Sequence, residues 1–233
     1  MRFAFLWIFL LLSQVTGIVS AAEPLHRSVF ARNGWTPSDW ILVKSPRWPH
    51  RGTWLQEDTH IRNATPVDAT TQELHGSRAG ETYTSMVLEK TFASSVVITA
   101  KLSFDNRMAP LIVLAPELGQ DDKGHPEYRE HIEIVFWDKG VNIWHHRYVA
   151  GTPSWKLAAY SRFRLESKTS YVVEVTYTRD ERGKMLAVRV NGHDFGYRDD
   201  ALPDVFHVGL TGCEGINRFY DLTVEKWASA PSP

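Results

Sequence analysis

The chain has 233 residues and is 43% hydrophobic, 12% aromatic and 23% charged, with nine Trp, fifteen Gly, twelve Pro and one Cys. This length and apolar content suit one large domain or two small ones with a true core, and they exclude a disordered, collagen-like or cysteine-stapled chain. With 26 basic against 27 acidic side chains, there is no basic field to attract nucleic acid or an anionic membrane.

Met1-Arg2 and the apolar run Phe3–Leu12 lead to Ser20-Ala21-Ala22, which has the shape of a secretory signal cut after Ala21 or Ala22. The run is too short for a spanning helix. Residues 1–21 are therefore expected to be removed, leaving a secreted or periplasmic protein with no membrane span. In that oxidising setting Cys213 has no partner in the chain, so stability must come from core burial.

From residue 35 onward the sequence alternates with period two. Strands are expected near 39–44, 53–56, 60–63 and 82–90. Over Ser95–Phe104 the residues Val96, Ile98, Ala100, Leu102 and Phe104 fall on one side and Val97, Thr99, Lys101 and Ser103 on the other, a half-buried strand. Further strands are expected near 110–115, 131–137, 141–147, 171–177, 185–190, 206–211 and 219–226. Asn191-Gly192 between Val188/Val190 and Asp194/Phe195 is the clearest hairpin signal. No window of ten or more residues reads as an amphipathic helix. The connections are rich in Pro, Gly, Asp and Asn, as in 45–49, 119–126 and 151–153. The pattern predicts an all-β sandwich or barrel in one domain, 22–227, followed by a flexible tail, 228–233.

The opening Asp39-Trp40-Ile41 and Gly52–Asp58 and the closing Val208–Gly212 and Phe219–Val224 resemble the first and last strands of the concanavalin A-like lectin/glucanase superfamily. The resemblance covers residues 30–227. Within it the chain looks closest to secreted bacterial 3-keto-disaccharide hydrolase-like domains. It implies a two-sheet antiparallel β-sandwich, a jelly roll, with an oligo- or polysaccharide on the concave face of one sheet. The superfamily's catalytic pattern Glu-x-Asp-x-x-Glu is absent: Val135 follows Glu133 where Asp is required, and Glu130 lies on the opposite strand face.

In Glu130–Asp138, Ile132, Ile134 and Phe136 form an apolar face, leaving His131, Glu133, Val135 and Trp137 on the other. Matching apolar faces across the turn puts Val141 and Ile143 in the core, so Asn142, Trp144 and His146 join that second face. A bulge at Gly140 would instead pair Val141 with Trp137 and present His145 and Arg147. The apolar match is preferred because it concerns more buried side chains. In either register His145 and His146 point apart, so the doublet is no metal pair, and no metal ligand set is read from the spacing. Asp121, Asp122 and Glu127 offer a weak signal for a structural Ca²⁺. No other cofactor is expected.

Trp faces suit pyranose C–H surfaces, and Glu, Asn and His ring them with hydrogen-bonding groups. The expected function is a carbohydrate-active protein that cleaves a glycosidic bond, with Glu133 and His131 as candidate catalytic groups. A second carboxylate would come from Glu117, Glu127 or Glu214. Substrate-binding candidates are Trp137, Asn142, Trp144, His146, Arg147, Tyr148, Trp155, Glu214 and Arg218. A non-catalytic lectin-like module is the alternative. A polysaccharide lyase is a second one, with His131 or Tyr148 as base and Arg147 or Arg218 neutralising a uronate. The residues leave open whether the domain cuts or only binds.

Overall fold

The computed structural model describes residues 24–93 and 95–228; the predicted signal segment and all of the predicted tail but Ala228 lie outside them. In chain order the strands are β1 (His26–Val29), β2 (Trp40–Leu42), β3 (Trp54–Gln56), β4 (Ile61–Asn63), β5 (Thr84–Phe92), β6 (Val96–Phe104), β7 (Pro110–Gln120) and β8 (Pro126–Trp137). They continue as β9 (Gly140–Val149), β10 (Thr152–Arg162), β11 (Tyr171–Asp180), β12 (Gly183–Val190), β13 (His193–Arg198), β14 (Phe206–Gly212) and β15 (Asn217–Lys226). One sheet runs β13-β12-β11-β6-β15-β4-β3, with β1 also on β15; the other runs β10-β9-β8-β7-β14-β5-β2. Every strand pair is antiparallel. The only α-helix among the described residues is the single turn α1, Thr71–Leu74, held by a capping box between Thr70 and Glu73.

The core lies between the sheets. On β6, Val96, Ile98, Ala100, Leu102 and Phe104 are fully buried, as the alternation predicts. They meet Ile112, Leu114, Ile132, Ile134, Phe136, Val141 and Ile143 of the second sheet. At ~25 cal/mol per Å², this continuous apolar layer dominates the stability of a chain without a disulfide. The Asn191-Gly192 turn closes β12–β13 as expected, with φ of 51° and 75° at its two residues, the left-handed pair of a type I′ turn.

β7 reads differently. Leu111 to Ala115 are buried at every position, so both faces of the second sheet are covered here. On the outer face Leu111, Val113, Ala115 and Val135 pack with Val43, Val87 and Tyr128. The loops that cover this face carry the candidate site. The sequence pattern predicts a connection at 151–153 and no strand directly after it, but β10 is an edge strand there, mostly exposed, with a register shift at Leu157/Ala159. It therefore shows no hydrophobic alternation, while Pro153 and its charged side chains suit an unpaired edge.

Candidate functional site

The β8–β9 hairpin follows the apolar match. Trp137 pairs with Gly140 across a two-residue turn, Phe136 with Val141, Ile134 with Ile143, Glu133 with Trp144 and His131 with His146. The bulged register is not adopted. Gly140 has φ 121° and a Cβ there would lie 2.1 Å from Ser161 O, so only glycine fits. Because β10 aligns Trp155 with His146, three neighbouring strands place Trp155, His146 and His131 in a line across the outer face.

These rings form a column. Tyr128 stacks on His131 with centroids 4.1 Å apart, His131 on His146 at 4.7 Å and 14°, and His146 faces Trp155 at 6.4 Å and 25°. Burial falls along it: Tyr128 is 0% exposed, His131 3%, His146 5% and Trp155 51%. The Tyr128 hydroxyl is fixed by Ser85 Oγ at 2.7 Å, which in turn meets Thr211 Oγ1 at 2.5 Å.

Glu133 lies beside the column, buried, with Oε1 3.1 Å from His131 Nε2 and Oε2 3.0 Å from His146 Nε2. Burial alone would raise its pKa, but the two imidazoles beside it, His146 and His131, hold the carboxyl well below its usual range. At His131 burial wins and the pKa is lowered. The trio thus holds an ionised carboxylate against a neutral imidazole at neutral pH.

A cavity of about 200 Å³ opens over this floor. The sheet supplies Glu133, Asn142, Trp144, His146 and Trp155, and the loops supply Arg47, Trp48, Tyr83 and Glu214. The Arg47 guanidinium lies 4.6 Å from the Trp155 centroid and 5.3 Å from that of Trp48. Trp48 packs so closely on Gly80 that a Cβ there would lie 2.5 Å from its ring. The Glu214 N–H donates to Thr82 Oγ1 at 2.7 Å. Burial raises the Glu214 pKa, Arg47 opposes this and Glu133 adds to it. Two carboxyl groups at one cavity are therefore pushed in opposite directions.

No known family and no curated protein matches the sequence. Solved structures do match. A Bacillus subtilis protein of unknown function with a galectin-like fold superposes with TM-score 0.58 at 11% identity, over 87% of this chain and 96% of that one. The metal-free carbohydrate recognition domain of Emp46p gives 0.57 at 12%, over 83% and 90%. A carbohydrate-binding module, CBM66 of Bacillus subtilis, gives 0.54 at 10%, over 81% and 96%. The fold is a concanavalin A-like jelly roll.

On this jelly roll the sequence-predicted residues divide. Glu133, Asn142, Trp144, His146, Trp155 and Glu214 meet at the cavity, and His131 stands behind it in the ring column. Trp137 shares their face but sits at the turn end, 8% exposed, beneath Arg107, Lys139 and Arg162 at 5.9, 5.9 and 5.2 Å. Arg147 projects to the other face, where it and His145 meet Glu130 at 3.4 and 2.6 Å. Tyr148 lies under Arg129 at 4.9 Å in a narrow crevice beside the column. Arg218 belongs to the opposite sheet, ion-paired with Asp105.

Of the three second carboxylates considered, only Glu214 reaches the cavity. Glu127 is buried between Lys44 at 3.0 Å and Arg129 at 2.5 Å, and Glu117 is exposed. In the loop considered for Ca²⁺, Asp121 accepts the Lys123 and His125 N–H groups and lies 3.6 Å from Lys44. Asp121 and Glu127 thus converge on an ammonium. The residues not foreseen are Arg47 and Tyr83. Arg47 reaches the cavity on the Pro-flanked Ser45–Pro49 segment, which the sequence pattern marks only as a connection.

Proposed function

We propose that this protein binds a saccharide in the cavity over the β8–β9–β10 face, with one sugar ring against Trp155 and Trp144. The ring column carries this reading: it ends in a half-exposed indole beside the Glu133 carboxylate, the Asn142 amide and the Arg47 guanidinium. An apolar floor with a few convergent polar groups is how small-ligand sites are built, and Trp faces suit sugar C–H surfaces. A volume near 200 Å³, below the ~300–1,000 Å³ of drug-sized sites, suits one ring, with further units outside. The carbohydrate-binding neighbours of the fold support the same ligand class. The signal-like N-terminus supports an encounter outside the cytoplasm, and the resemblance to 3-keto-disaccharide hydrolase-like domains suggests a disaccharide unit as ligand.

One observation favours hydrolysis as a second reading. Glu133 and Glu214 both line the cavity and their pKa values are pushed apart, a pattern that supports an acid and a base role. Glu214 would protonate the glycosidic oxygen, and Glu133 would take the proton of the attacking water. The lyase reading has less support, since Arg147 and Arg218 lie away from the cavity.

The test is calorimetric titration with a panel of oligosaccharides, followed by analysis of products. Binding that weakens about tenfold in Trp155→Ala, ~1.4 kcal/mol, is the expected result. Full affinity in both Trp155→Ala and Trp144→Ala would place the ligand elsewhere. New reducing ends that vanish in Glu214→Gln would establish hydrolysis; retention without products leaves binding alone.

A further inference from the structure

We infer that His131, Glu133 and His146 form a site for one divalent transition-metal ion of the zinc type, with its open coordination positions facing the cavity. The three side chains are at most 7% exposed, and one donor atom from each lies within 4.8 Å of the others. Two come from alternate residues of β8 and the third from the residue directly opposite His131 on β9, so a rigid hairpin sets their spacing.

The strongest pointer is His146 Nε2. It is buried and has no hydrogen-bond partner, although Glu133 Oε2 is 3.0 Å away. A carboxylate oxygen and a ring nitrogen at that distance, both electron-rich, need positive charge between them. A proton would have to lie near the line joining them, and the angles do not suit that. A metal ion bound to both atoms sits off that line. Two imidazoles and a carboxylate form the donor set of His₂Glu zinc sites, whereas Ca²⁺ and Mg²⁺ prefer oxygen alone. Ligands of a tetrahedral ion at ~2.1 Å stand roughly 3.4 Å apart, so closing the widest spacing asks for side-chain shifts of about 1 Å. The stacked rings must tilt to converge. Because Glu133 and His146 line the cavity, water or a sugar hydroxyl could complete the shell there. A metal-bound Glu133 is no longer a free proton carrier, so occupancy of this site would remove Glu133 as a base.

The experiment uses tag-free, chelator-treated full chain, titrated with Zn²⁺ alone and with no saccharide, so its failure leaves the saccharide reading standing. One equivalent should bind, with affinity falling at least 100-fold in His146→Ala and His131→Ala and unchanged in His145→Ala, whose ring belongs to the opposite face. Co²⁺ loaded into the unmutated chain should give the intense visible bands of a four- or five-coordinate site, which needs no variant to fold. The absence of stoichiometric uptake, equal uptake in the three variants, or the weak spectrum of hexa-aquo Co²⁺ would overturn the inference.

Discussion

Asn63 offers the sharpest test of how the cavity rim is held. As the first residue of Asn63-Ala64-Thr65 it fits a glycosylation pattern, yet its side chain is 0% exposed and braces the turn that carries Glu214. Its Nδ2 donates to Thr82 O and Gly215 O, both at 2.9 Å, and its Oδ1 accepts from the Asn217 N–H at 2.8 Å. In Asn63→Ala the Asn217 N–H loses that acceptor inside the protein, at ~1–3 kcal/mol. The two carbonyls keep weaker donors, Thr84 Oγ1 at 3.5 Å and Asn217 Nδ2 at 3.2 Å, so each adds ~0.5–1 kcal/mol. The sum is about 3 kcal/mol, or a fall of roughly 6–12 °C in midpoint for a domain of this size. Urea denaturation read by Trp fluorescence measures it. Asn63→Asp should be no better than Asn63→Ala, because it turns a second oxygen toward two carbonyls. A loss below about 1 kcal/mol in the alanine variant, or wild-type stability in the aspartate variant, would refute the assigned network.

Glu214 has its pKa raised above 4.5 by burial. Its ionisation therefore destabilises the fold once pH passes the unfolded value, and the penalty is absent below it. Glu214→Gln should be more stable than the parent at pH 7 and no more stable at pH 3.5; the same gain at both pH values would mean that charge is not the cause. Asp121 responds in the opposite sense. Burial would raise it, but the His125 and Lys123 N–H groups and the His125 side chain hold it at about 2, against an ordinary 3.8. Its contribution is complete above pH 3.8 and is lost as pH falls through 2, so Asp121→Asn should flatten acid unfolding in that window. An unchanged acid limb would sink the assignment. Gly140→Ala should be poorly folded, since both its φ of 121° and the Ser161 carbonyl oppose a Cβ; a native-like melting curve would contradict the tight turn.

Alternation made the sheets legible because a strand with one wet face writes its orientation in every second residue. β6, β11 and the β12–β13 hairpin could be read this way, and so could the register of β8–β9. In that hairpin Ile132, Ile134, Phe136, Val141 and Ile143 outvote a turn that also permits a bulge. β10 could not be read, because an edge strand that buries little carries no such pattern. β7 blurred it from the other side, being buried on both faces.

The same rule explains which site residues were legible. Period two assigns a side chain to a face but says nothing of its position along the strand. Trp137 and Glu133 therefore looked equivalent, although four residues at ~3.3 Å each separate them by some 13 Å. At Trp137 the outer face meets the guanidiniums of Arg107 and Arg162; at Glu133 it meets the loop bearing Arg47 and Trp48. Position across the sheet came from pairing alone. His131, His146 and Trp155 lie on three strands at unrelated sequence spacings, and only the two registers β8–β9 and β9–β10 bring them into line. The His145-His146 doublet is no metal pair in either register because its rings point apart, whereas residues 131 and 146 lie opposite one another once the hairpin register is settled. A donor set built across strands becomes visible when the register is applied to the polar face as well as to the core.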